Sequence, residues 1–340
     1  MYMRRSLFAV AVLVLAVSAD AQDQPKNLQV LTGMSRPEVW EVMNQMASGL
    51  GVNCHFCHVK EDVASDAKPQ KLRGREMMRM VIDLNARHFG GKPVVTCFTC
   101  HNGKVQPALM PPLPQSVPPE PKPVEAKTLP TAAAVIQKYL AAVGREVAPS
   151  TPRRFKGTQK SSTGSAVPGT LLTAGDKVRL DVQLPDGSRL TRVNDAKGGW
   201  VRDKDGVRDL TTQQFDALRQ SSHTFEPFHT SRMGEDVHVT DSEKIGDRNA
   251  WVVTTPKARY WFDADSGFLL RRVIYTDSPI GRIPEQTDFD DYRDVGGFKV
   301  PFFTRGMLVD PYLGGTRQAD SIEIGVAITP SDFEKPPASR

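Results

Sequence analysis

Apolar residues recur at helical spacing in the segment that begins at Ser35. The apolar stripe consists of Val39, Met43, Met46 and Leu50, at positions i, i+4, i+7 and i+11. Ser35 followed by Glu38 is typical of a helix N-terminus, and Pro37 is tolerated in a first turn because its missing N–H would have no partner there. Gly51 is a typical residue just beyond a helix end. The pattern predicts an amphipathic helix that ends at Gly51.

A second helix is predicted from about Lys71 to Phe89, where Gly90-Gly91 stops it. This segment carries three closely spaced methionines, namely Met77, Met78 and Met80. Each of the two predicted helices leads, directly or after a short turn, into a motif that contains two cysteines.

The pattern changes after residue 130. A short amphipathic helix is predicted from Thr131 to Val143, closed by Gly144. Beyond it, alternating apolar and polar runs such as Val178–Val182 and Ala258–Phe262 lie between turn signals. The turn signals are Pro185-Asp186-Gly187, Lys197-Gly198-Gly199, Asp205-Gly206, Gly246-Asp247, Asp265-Ser266-Gly267 and Gly296-Gly297. A further helix is predicted from Thr211 to Ser221. Many short strands joined by hairpins predict an antiparallel meander that is curled or closed to protect its edges.

The sequence therefore predicts a multidomain chain with three segments. Residues 27–106 form an α-helical domain, residues 107–130 a Pro-rich linker, and residues 131–335 an antiparallel β-rich, α+β domain with one N-terminal helix. The prolines between Pro107 and Pro130 exclude helix and sheet interiors, so the linker is predicted to be extended and semi-rigid. An arm wrapped on the first domain is the alternative.

The N-terminus has the pattern of a secretory signal peptide. Arg4 and Arg5 precede an apolar run, Leu7–Val17, and Ala19-Asp20-Ala21 resembles a cleavage site. We expect cleavage after Ala21, which gives a signal peptide at 1–21 and a periplasmic protein. The run is too short to span a bilayer, and no later segment is apolar enough, so we expect no transmembrane segment in the mature chain; an uncleaved anchor is the alternative.

Composition adds one exclusion. The chain has 340 residues, 44 Lys and Arg against 39 Asp and Glu, and a formal net charge of +5. The basic residues form no cluster and do not alternate with aromatic residues, so we expect no nucleic-acid partner.

Two Cys-x-x-Cys-His motifs carry the clearest chemistry. They are Cys54–His58 and Cys97–His101, and they use all four cysteines of the chain. This motif is the attachment signature of c-type haem: Cys54, Cys57, Cys97 and Cys100 would form thioethers, and His58 and His101 would each bind an iron. Zinc held by the four cysteines, or disulfides, are the alternatives. Neither explains a histidine at the same place in both motifs, so we predict two covalently attached haem c groups.

The sixth iron ligands are predicted to be methionines. Met43 precedes Cys54 on a helix that leads into the first motif, and Met77 is one of three methionines placed similarly before the second. A thioether ligand favours ferrous iron and raises the reduction potential. The alternative is that these methionines only fill the core, and spacing alone does not choose among Met77, Met78 and Met80.

These residues resemble the photosynthetic reaction-centre cytochrome c subunit family. The resemblance rests on the stretch from Met43 to His58, on Ala64–Lys68 with Arg75–Met80, and on Val95–Gly103. In that family the helix before each Met-ligated haem motif provides the distal methionine. Matched position by position, the resemblance implies Met43 for the first haem and Met77 for the second.

The chain also departs from that family. The family carries four haems in two similar halves, whereas this chain offers one half, and it lacks the lipid-anchor cysteine that the family often has. The family's first half offers a histidine that ligates a haem of the other half. His88 is near that place without aligning with it, and we interpret it as a helix-end residue; a spare iron ligand is the alternative. The resemblance implies the haem fold and electron transfer, not photosynthesis.

The β-rich segment weakly resembles the half-barrel of periplasmic lipoprotein carriers. The resemblance rests on Tyr260–Arg272, on Asp290-Asp291-Tyr292 and on Gly297–Pro301. It implies a curved sheet whose concave face could bind a lipid or another apolar ligand; an ordinary β core without a ligand is the alternative. His223, His229 and His238 lie near carboxylates, but their spacing matches no metal signature, so we interpret them as solvated loop residues.

Three functions remain open at this point. The first is a dihaem electron carrier that serves redox protein partners and catalyses no reaction of its own. The second is a peroxidase-like haem oxidoreductase in which one iron lacks its methionine. The third is an envelope protein that binds a lipid or quinone-like ligand, with the haems as reporters.

Overall fold

The structure is a computed structural model that describes residues 25–110, 128–144, 146–148, 150–162, 164, 166–195, 198–210, 218, 236–309 and 314–337. Several predictions lie outside these residues. They are the signal peptide at 1–21, the linker between 111 and 127, His223, His229 and, apart from Leu218, the helix Thr211–Ser221.

Helix α1 spans Arg36–Leu50, as its pattern predicts. The Glu38 carboxylate accepts hydrogen bonds from the backbone N–H and the hydroxyl of Ser35, at 2.7 and 2.8 Å. Gly51 ends the helix at φ 66°, a left-handed conformation that glycine adopts without a steric penalty. Local capping chemistry therefore fixes both ends of α1.

Helix α2 spans Pro69–His88 and begins slightly earlier than predicted, because proline suits the first helical position. A 3₁₀ turn covers Cys54–Phe56, and the short helix α3 covers Cys97–His101. Loops connect these elements over residues 51–53, 57–68 and 89–96. The expectation of an α-helical N-terminal domain is confirmed only in part, since these loops make up a large share of its residues.

The rest of the described chain forms helix α4 and a large antiparallel sheet. Helix α4 spans Ala132–Val143, and the side chain of Thr131 caps it. The strands are β1 (Arg153–Ser161), β2 (Ala166–Ala174), β3 (Lys177–Gln183), β4 (Arg189–Asn194), β5 (Gly199–Asp203), β6 (Gly206–Asp209), β7 (His238–Ile245), β8 (Arg248–Thr255), β9 (Ala258–Asp263), β10 (Leu269–Ser278), β11 (Gly281–Val295), β12 (Phe298–Met307) and β13 (Gly315–Ile324). A second 3₁₀ turn covers Pro330–Asp332.

The sheet confirms the predicted antiparallel β-rich domain. Among the described residues it has 13 strands in the order β6-β5-β4-β3-β2-β1-β13-β12-β11-β10-β9-β8-β7. Phe155 of β1 pairs with Leu171 of β2 on one side and with Ile322 of β13 on the other. The meander therefore runs outward from β1 to one edge, and the chain's last strand returns to pair with β1.

Helix α4 packs its apolar face on the sheet. Val135, Tyr139 and Val143 are buried against residues of β8, β9 and β11. The ring of Tyr139 meets the ring of Phe262 edge-on, with 5.4 Å between the centroids. Such aromatic pairs add about 0.5–1.5 kcal/mol beyond the burial of their area. Helix α4 is thus part of the core of the β-rich domain.

A separate core lies in residues 25–110, and one residue of the β-rich domain completes it. The buried members are Leu31, Val42, Met46, Met78, Val81 and Ile280. Ile280 is fully buried although it lies in the two-residue turn between Ser278 of β10 and Gly281 of β11. Burial of such a side chain stabilises the folded state by about 1.5–3 kcal/mol. The two domains therefore share a hydrophobic core.

A search of the described residues finds no helix with the length and apolar content that a bilayer crossing requires.

Candidate haem sites

The first motif, Cys54–His58, lies immediately after α1 and is organised by its own backbone. The side-chain oxygen of Asn53 accepts the backbone N–H of His55 at 3.1 Å, which caps the 3₁₀ turn. The backbone N–H of His58 donates to the carbonyl of Cys54 at 3.0 Å. The turn therefore holds the cysteines and the histidine in one compact loop.

The imidazole of His58 is held by a single backbone group. Its Nδ1 lies 2.9 Å from the carbonyl oxygen of Val63. Because a carbonyl oxygen only accepts hydrogen bonds, the contact requires a proton on Nδ1, and in the neutral ring this leaves the lone pair on Nε2. A metal-binding histidine characteristically has its second nitrogen bonded to a carbonyl in this way, which fixes the ring orientation and the tautomer.

The second motif, Cys97–His101, forms α3 and repeats this arrangement. Thr96 caps the helix: its hydroxyl accepts the N–H of Thr99 at 3.3 Å, and the Thr99 hydroxyl accepts the N–H of Thr96 at 3.0 Å. The Nδ1 of His101 lies 3.0 Å from the carbonyl oxygen of Lys104. His101 therefore presents the same nitrogen as His58, although one motif begins in a 3₁₀ turn and the other is an α-helical turn.

The four thiols are free cysteines. Cys54 and Cys100 are exposed, whereas Cys57 and Cys97 are half-buried. Burial raises the pKa of the Cys57 and Cys97 thiols. Within the described part of the chain, no three side chains of His, Cys, Asp or Glu come together as a metal cluster would require.

The methionines of α1 and α2 divide into core residues and residues at the edge of the core. Met46 and Met78 are buried in the core of residues 25–110, whereas Met80 is 49% exposed. Met43 and Met77 are half-buried, and Met43 packs against the edge of the core. Met46 and Met78 therefore fill the core. Met43 and Met77 contribute less to it.

Helix α1 packs directly against the second motif. The carbonyl of Gly49 accepts the N–H of Gly103 at 3.0 Å. A Cβ at position 49 would lie 3.1 Å from the Cβ of Cys97, and a Cβ at position 51 would lie 2.1 Å from the carbonyl oxygen of Gly103. At position 51 the backbone would have to move to admit any other residue, whereas position 49 is tight. The helix that leads into the first motif is therefore in contact with the second.

Lys71 of α2 holds the loop that follows the first motif, and the sequence did not indicate this role. Its Nζ donates to three consecutive carbonyl oxygens, those of Val63, Ala64 and Ser65, at 2.9, 2.7 and 2.9 Å. Its side chain is only 10% exposed. A lysine near the start of an amphipathic helix usually lies in solvent. The role of Lys71 in holding the loop is therefore visible only from the burial and the hydrogen bonds of its amine in the structure.

Asp66 continues this network. Its carboxylate lies 2.9 Å from the guanidinium of Arg75 and 3.3 Å from the Lys71 amine, and it accepts the Asn27 amide at 2.9 Å. The hydrogen bond from Arg75, with those from Asn27 and Lys71, holds the pKa of Asp66 well below its usual range. The network thus fixes the loop whose carbonyl orients His58.

The surface of residues 25–110 is unusually apolar. Of the 12 large apolar side chains that are exposed among the described residues, all but Ile274 and Ile328 lie between Trp40 and Met110. Three of them, Val63, Phe98 and Val105, lie in or beside the motifs. Paired thiols, histidines with a fixed tautomer and nearby apolar side chains form a donor set that suits a covalently bound porphyrin. The residues present therefore fit haem c.

The remaining histidines of the described residues take other positions. His88 is the exposed last residue of α2, as interpreted from the sequence. The Nε2 of His238 lies 2.7 Å from a carboxylate oxygen of Asp236, and both side chains are about 70% exposed.

The β-rich part of the chain is similar to three solved structures at low identity. An outer membrane lipoprotein-sorting protein domain from Vibrio parahaemolyticus is 11% identical, with a TM-score of 0.36, and the match covers 59% of this chain and 94% of that one. A LolA superfamily protein from Nitrosomonas europaea is 10% identical, with a TM-score of 0.39, and covers 60% and 98%. A DUF1329 family protein from Desulfovibrio piger is 12% identical, with a TM-score of 0.38, and covers 59% and 96%.

The N-terminal part has closer relatives in sequence. Over 82 residues the chain is 46% identical to cytochrome c-554 of Chloroflexus aurantiacus. The match covers 22% of this chain and only 20% of that relative, so the chain spans about a fifth of its length. Residues 9–138 match the model of the photosynthetic reaction centre cytochrome C subunit family, and the N-terminal part of the chain thus resembles that family, as its motifs predicted.

Proposed function

We propose that the protein is a c-type cytochrome that passes electrons between redox protein partners through two covalently attached haems. The observation that carries this proposal is the repeated histidine geometry: His58 and His101 each bond through Nδ1 to a backbone carbonyl and present Nε2. Haem, when bound, supplies one-electron chemistry at iron. The similarity of residues 9–138 to a cytochrome family supports the same conclusion.

Each motif would hold its haem with three side chains. Cys54 and Cys57 form the thioethers of the first haem, and His58 provides the proximal nitrogen. Cys97 and Cys100, with His101, take the same roles at the second. The bonds from Nδ1 to Val63 and to Lys104 keep each imidazole in the required orientation. We assign these residues to a dihaem domain at 27–106, joined by the linker at 107–130 to the β-rich domain at 131–335.

Met43 and Met77 are the proposed sixth ligands. Both side chains are half-buried, and Met43 packs at the edge of the core, which supports this choice over Met46 and Met78, whose side chains are buried. A thioether on the distal side leaves no iron position for a substrate, which favours a carrier over an enzyme. It also favours the ferrous state and so raises the potential.

The contact between α1 and the second motif supports electron exchange within the protein. The hydrogen bond between Gly49 and Gly103 joins the helix of the first site to the loop of the second. This contact would hold the residues of the two haem motifs near each other in the folded protein. We propose that electrons enter at one haem and leave from the other.

A direct test is the haem content and the spin state of the purified full-length protein. A pyridine haemochrome assay is expected to give two c-type haems per chain. The pair Cys54→Ser and Cys57→Ser, or the pair Cys97→Ser and Cys100→Ser, should each remove one haem. Low-spin spectra in both oxidation states are expected. A high-spin iron, or carbon monoxide binding at one haem, would instead support the haem oxidoreductase hypothesis.

The proposed location is the periplasm, because haem c is attached outside the cytoplasmic membrane and residues 1–21 have the pattern of an export signal. Mass spectrometry of the protein from a periplasmic fraction is expected to give an N-terminus at Gln22. A product that retains Met1 in the membrane fraction would contradict this location.

A second candidate function, binding of an apolar ligand at the β-rich domain, has one observation in its favour. A cleft between β1, β2, β3 and β13 is lined by both apolar and polar side chains, the polar ones being Lys156, Thr158, Gln159, Thr170, Arg317 and Gln318. The apolar lining includes Phe155, Val167, Leu171, Leu180 and Val182. Extraction of the purified protein with organic solvent, followed by mass spectrometry, is expected to recover a lipid or a quinone if this cleft is a binding site; an empty extract would argue against it.

A further inference from the structure

The turn between β10 and β11 carries a large aliphatic side chain where a hairpin tip normally faces solvent. Ser278 pairs with Gly281 across Pro279 and Ile280. Ile280 is nevertheless fully buried, among residues of α1 and α2 rather than among those of its own sheet. An aliphatic residue at an exposed tip is costly, so this contact explains why the turn contains one. We call residues 277–282 the docking hairpin.

Ile280 shares one buried cluster with residues of both helices that carry the proposed methionine ligands. Its core partners on α1 are Val42 and Met46, and those on α2 are Met78 and Val81. Val42 immediately precedes Met43, and Met78 immediately follows Met77. Because protein cores are densely packed, a change in the volume of Ile280 alters the spacing of the two helices.

Gln45 of α1 fixes the docking hairpin through both of its strands. Its amide nitrogen donates to the carbonyl of Arg282 at 3.2 Å. Its side-chain oxygen lies 3.0 Å from the hydroxyl of Ser278, whose single proton is shared between this oxygen and the carbonyl of Gly281 at 2.6 Å. The amide therefore bonds to β10 through one atom and to β11 through the other. This pairing sets the orientation of the hairpin on α1 as well as its distance.

The docking hairpin also reaches the second haem motif. A Cβ at Gly281 would lie 2.6 Å from the amide nitrogen of Gln45 and 2.8 Å from the Cγ2 of Thr96. Thr96 is the N-cap of the helix that carries Cys97. The backbone at Gly281 thus packs in the space between α1 and the start of the second motif.

We propose that the docking hairpin positions the haem ligands: Ile280 and Gly281 hold α1, α2 and the second motif in the arrangement that brings Met43 and Met77 to the irons. This inference rests on the proposed dihaem function and extends it. The β-rich domain is then a structural part of the haem sites, and its residues are positioning residues that touch neither iron.

The test compares Ile280→Ala with Ile280→Val in the full-length holoprotein. Ile274→Ala serves as the control because Ile274 is an apolar residue of the adjoining strand, β10, and is 36% exposed. The readouts are haem content, the weak red absorption band of methionine bound to ferric iron, carbon monoxide binding, and hydrogen exchange of the α1 amides.

Ile280→Ala is expected to keep two haems, because the thioethers do not depend on the hairpin, but to lose intensity in the methionine band and to gain carbon monoxide binding. Exchange of the α1 amides should rise about 30-fold or more in Ile280→Ala and about 2- to 10-fold in Ile280→Val, as expected for these core truncations. Ile280→Val should largely restore the band. Ile274→Ala should match the wild type.

An Ile280→Ala protein with the band, carbon monoxide response and exchange of the wild type would overturn the proposal. If Ile280→Ala does not fold, exchange of the α1 amides in Ile280→Val decides the question alone: about a 2- to 10-fold rise supports the proposal, and wild-type exchange overturns it. A wild-type protein with fewer than two haems would refute the dihaem function instead, and exchange of α1 would still show whether the hairpin holds that helix.

Discussion

Lys71 and His58 share one hydrogen-bond acceptor: the amine of Lys71 and the Nδ1 of His58 both donate to the carbonyl oxygen of Val63, each at 2.9 Å. Because both donors share one acceptor, the hydrogen bond from Lys71 weakens the one from His58. It also places a largely buried positive charge beside the proposed proximal ligand. Hydrogen bonding around an axial ligand and nearby charge both tune a haem potential.

Replacement of Lys71 by methionine is expected to lower the reduction potential of the haem proposed at the first motif. Loss of the cation stabilises the more positive ferric state, and loss of the competing donor strengthens the bond from His58 to Val63. We expect a decrease of about 20–60 mV, since 59 mV corresponds to a tenfold change in a one-electron equilibrium. A spectroelectrochemical titration resolves the two potentials.

Arg73→Met is the matched control for that change. Arg73 lies on the same helix and carries the same charge, but its side chain is 74% exposed, where solvent and salt screen it. Equal shifts in the two variants would show that net charge, rather than the contact at Val63, sets the potential.

The ion pairs of Asp66 predict that the free energy of unfolding decreases in acid. The hydrogen bond from Arg75, with those from Asn27 and Lys71, keeps the pKa of Asp66 in the folded protein well below its usual range. In the unfolded chain the pKa of an aspartate carboxyl is about 3.9. The folded state is therefore favoured above about pH 4, and this contribution disappears as the pH falls towards the folded-state pKa. Thermal unfolding midpoints between pH 7 and pH 3 should fall less steeply for Asp66→Asn than for the wild type.

Asp83→Asn provides the comparison for this acid effect. Asp83 forms an exposed ion pair with Arg87 one helical turn away, at 2.7 Å, and such pairs contribute little to stability. Its variant should follow the wild-type pH profile, and a profile as flat as that of Asp66→Asn would contradict the assignment.

The methionine assignment can be tested by pairs of variants on the same helix. Met43→Leu and Met77→Leu should each remove the ferric methionine band of one haem. Met46→Leu and Met78→Leu should keep both bands and cost less than about 1.5 kcal/mol, since the exchange of methionine for leucine conserves volume. The first pair removes a proposed ligand, while the second changes only core packing. Optical spectra and thermal unfolding of the four proteins check both statements, and an intact band in Met77→Leu would move the ligand to another residue.

Gly51→Ala is expected to destabilise the N-terminal domain by more than the cost of placing alanine at a positive φ, because the added Cβ also clashes. Gly51 has φ 66°, and an added Cβ would lie 2.1 Å from the carbonyl oxygen of Gly103. Gly33 has φ 82°, and a Cβ added there would have no atom within 4 Å, so Gly33→Ala isolates the backbone contribution, about 1–2 kcal/mol. Chemical denaturation should show the larger loss for Gly51→Ala, and equal losses would mean that the contact between α1 and the second motif relaxes easily.

The sequence was sufficient where structure depends on neighbouring residues. Ser35 with Glu38 predicted the start of α1, and Gly51 and Gly144 predicted the ends of α1 and α4, because caps act over a few positions. Turn residues likewise predicted an antiparallel sheet. Strand order across the pairing of β1 with β13 was not predictable, since it joins segments far apart in the chain.

At the candidate sites, the motifs named the cysteines and histidines but not the groups that support them. Lys71 has the appearance of an ordinary helix-surface lysine until its three carbonyl partners are seen. Ile280 belongs by pattern to a β-hairpin, and nothing near it in the chain indicates a partner in α1 or α2. Both roles depend on long-range contacts that local periodicity does not encode.

The burial of Ile280 also bears on how the protein is made. A chain is synthesised from its N-terminus and its domains generally fold in that order. Residues 25–110, with all four cysteines, are therefore complete well before the isoleucine that fills their core. During that interval the core of residues 25–110 lacks the Ile280 side chain that completes it. We expect the late-made hairpin to set the time at which the early-made domain reaches its final packing.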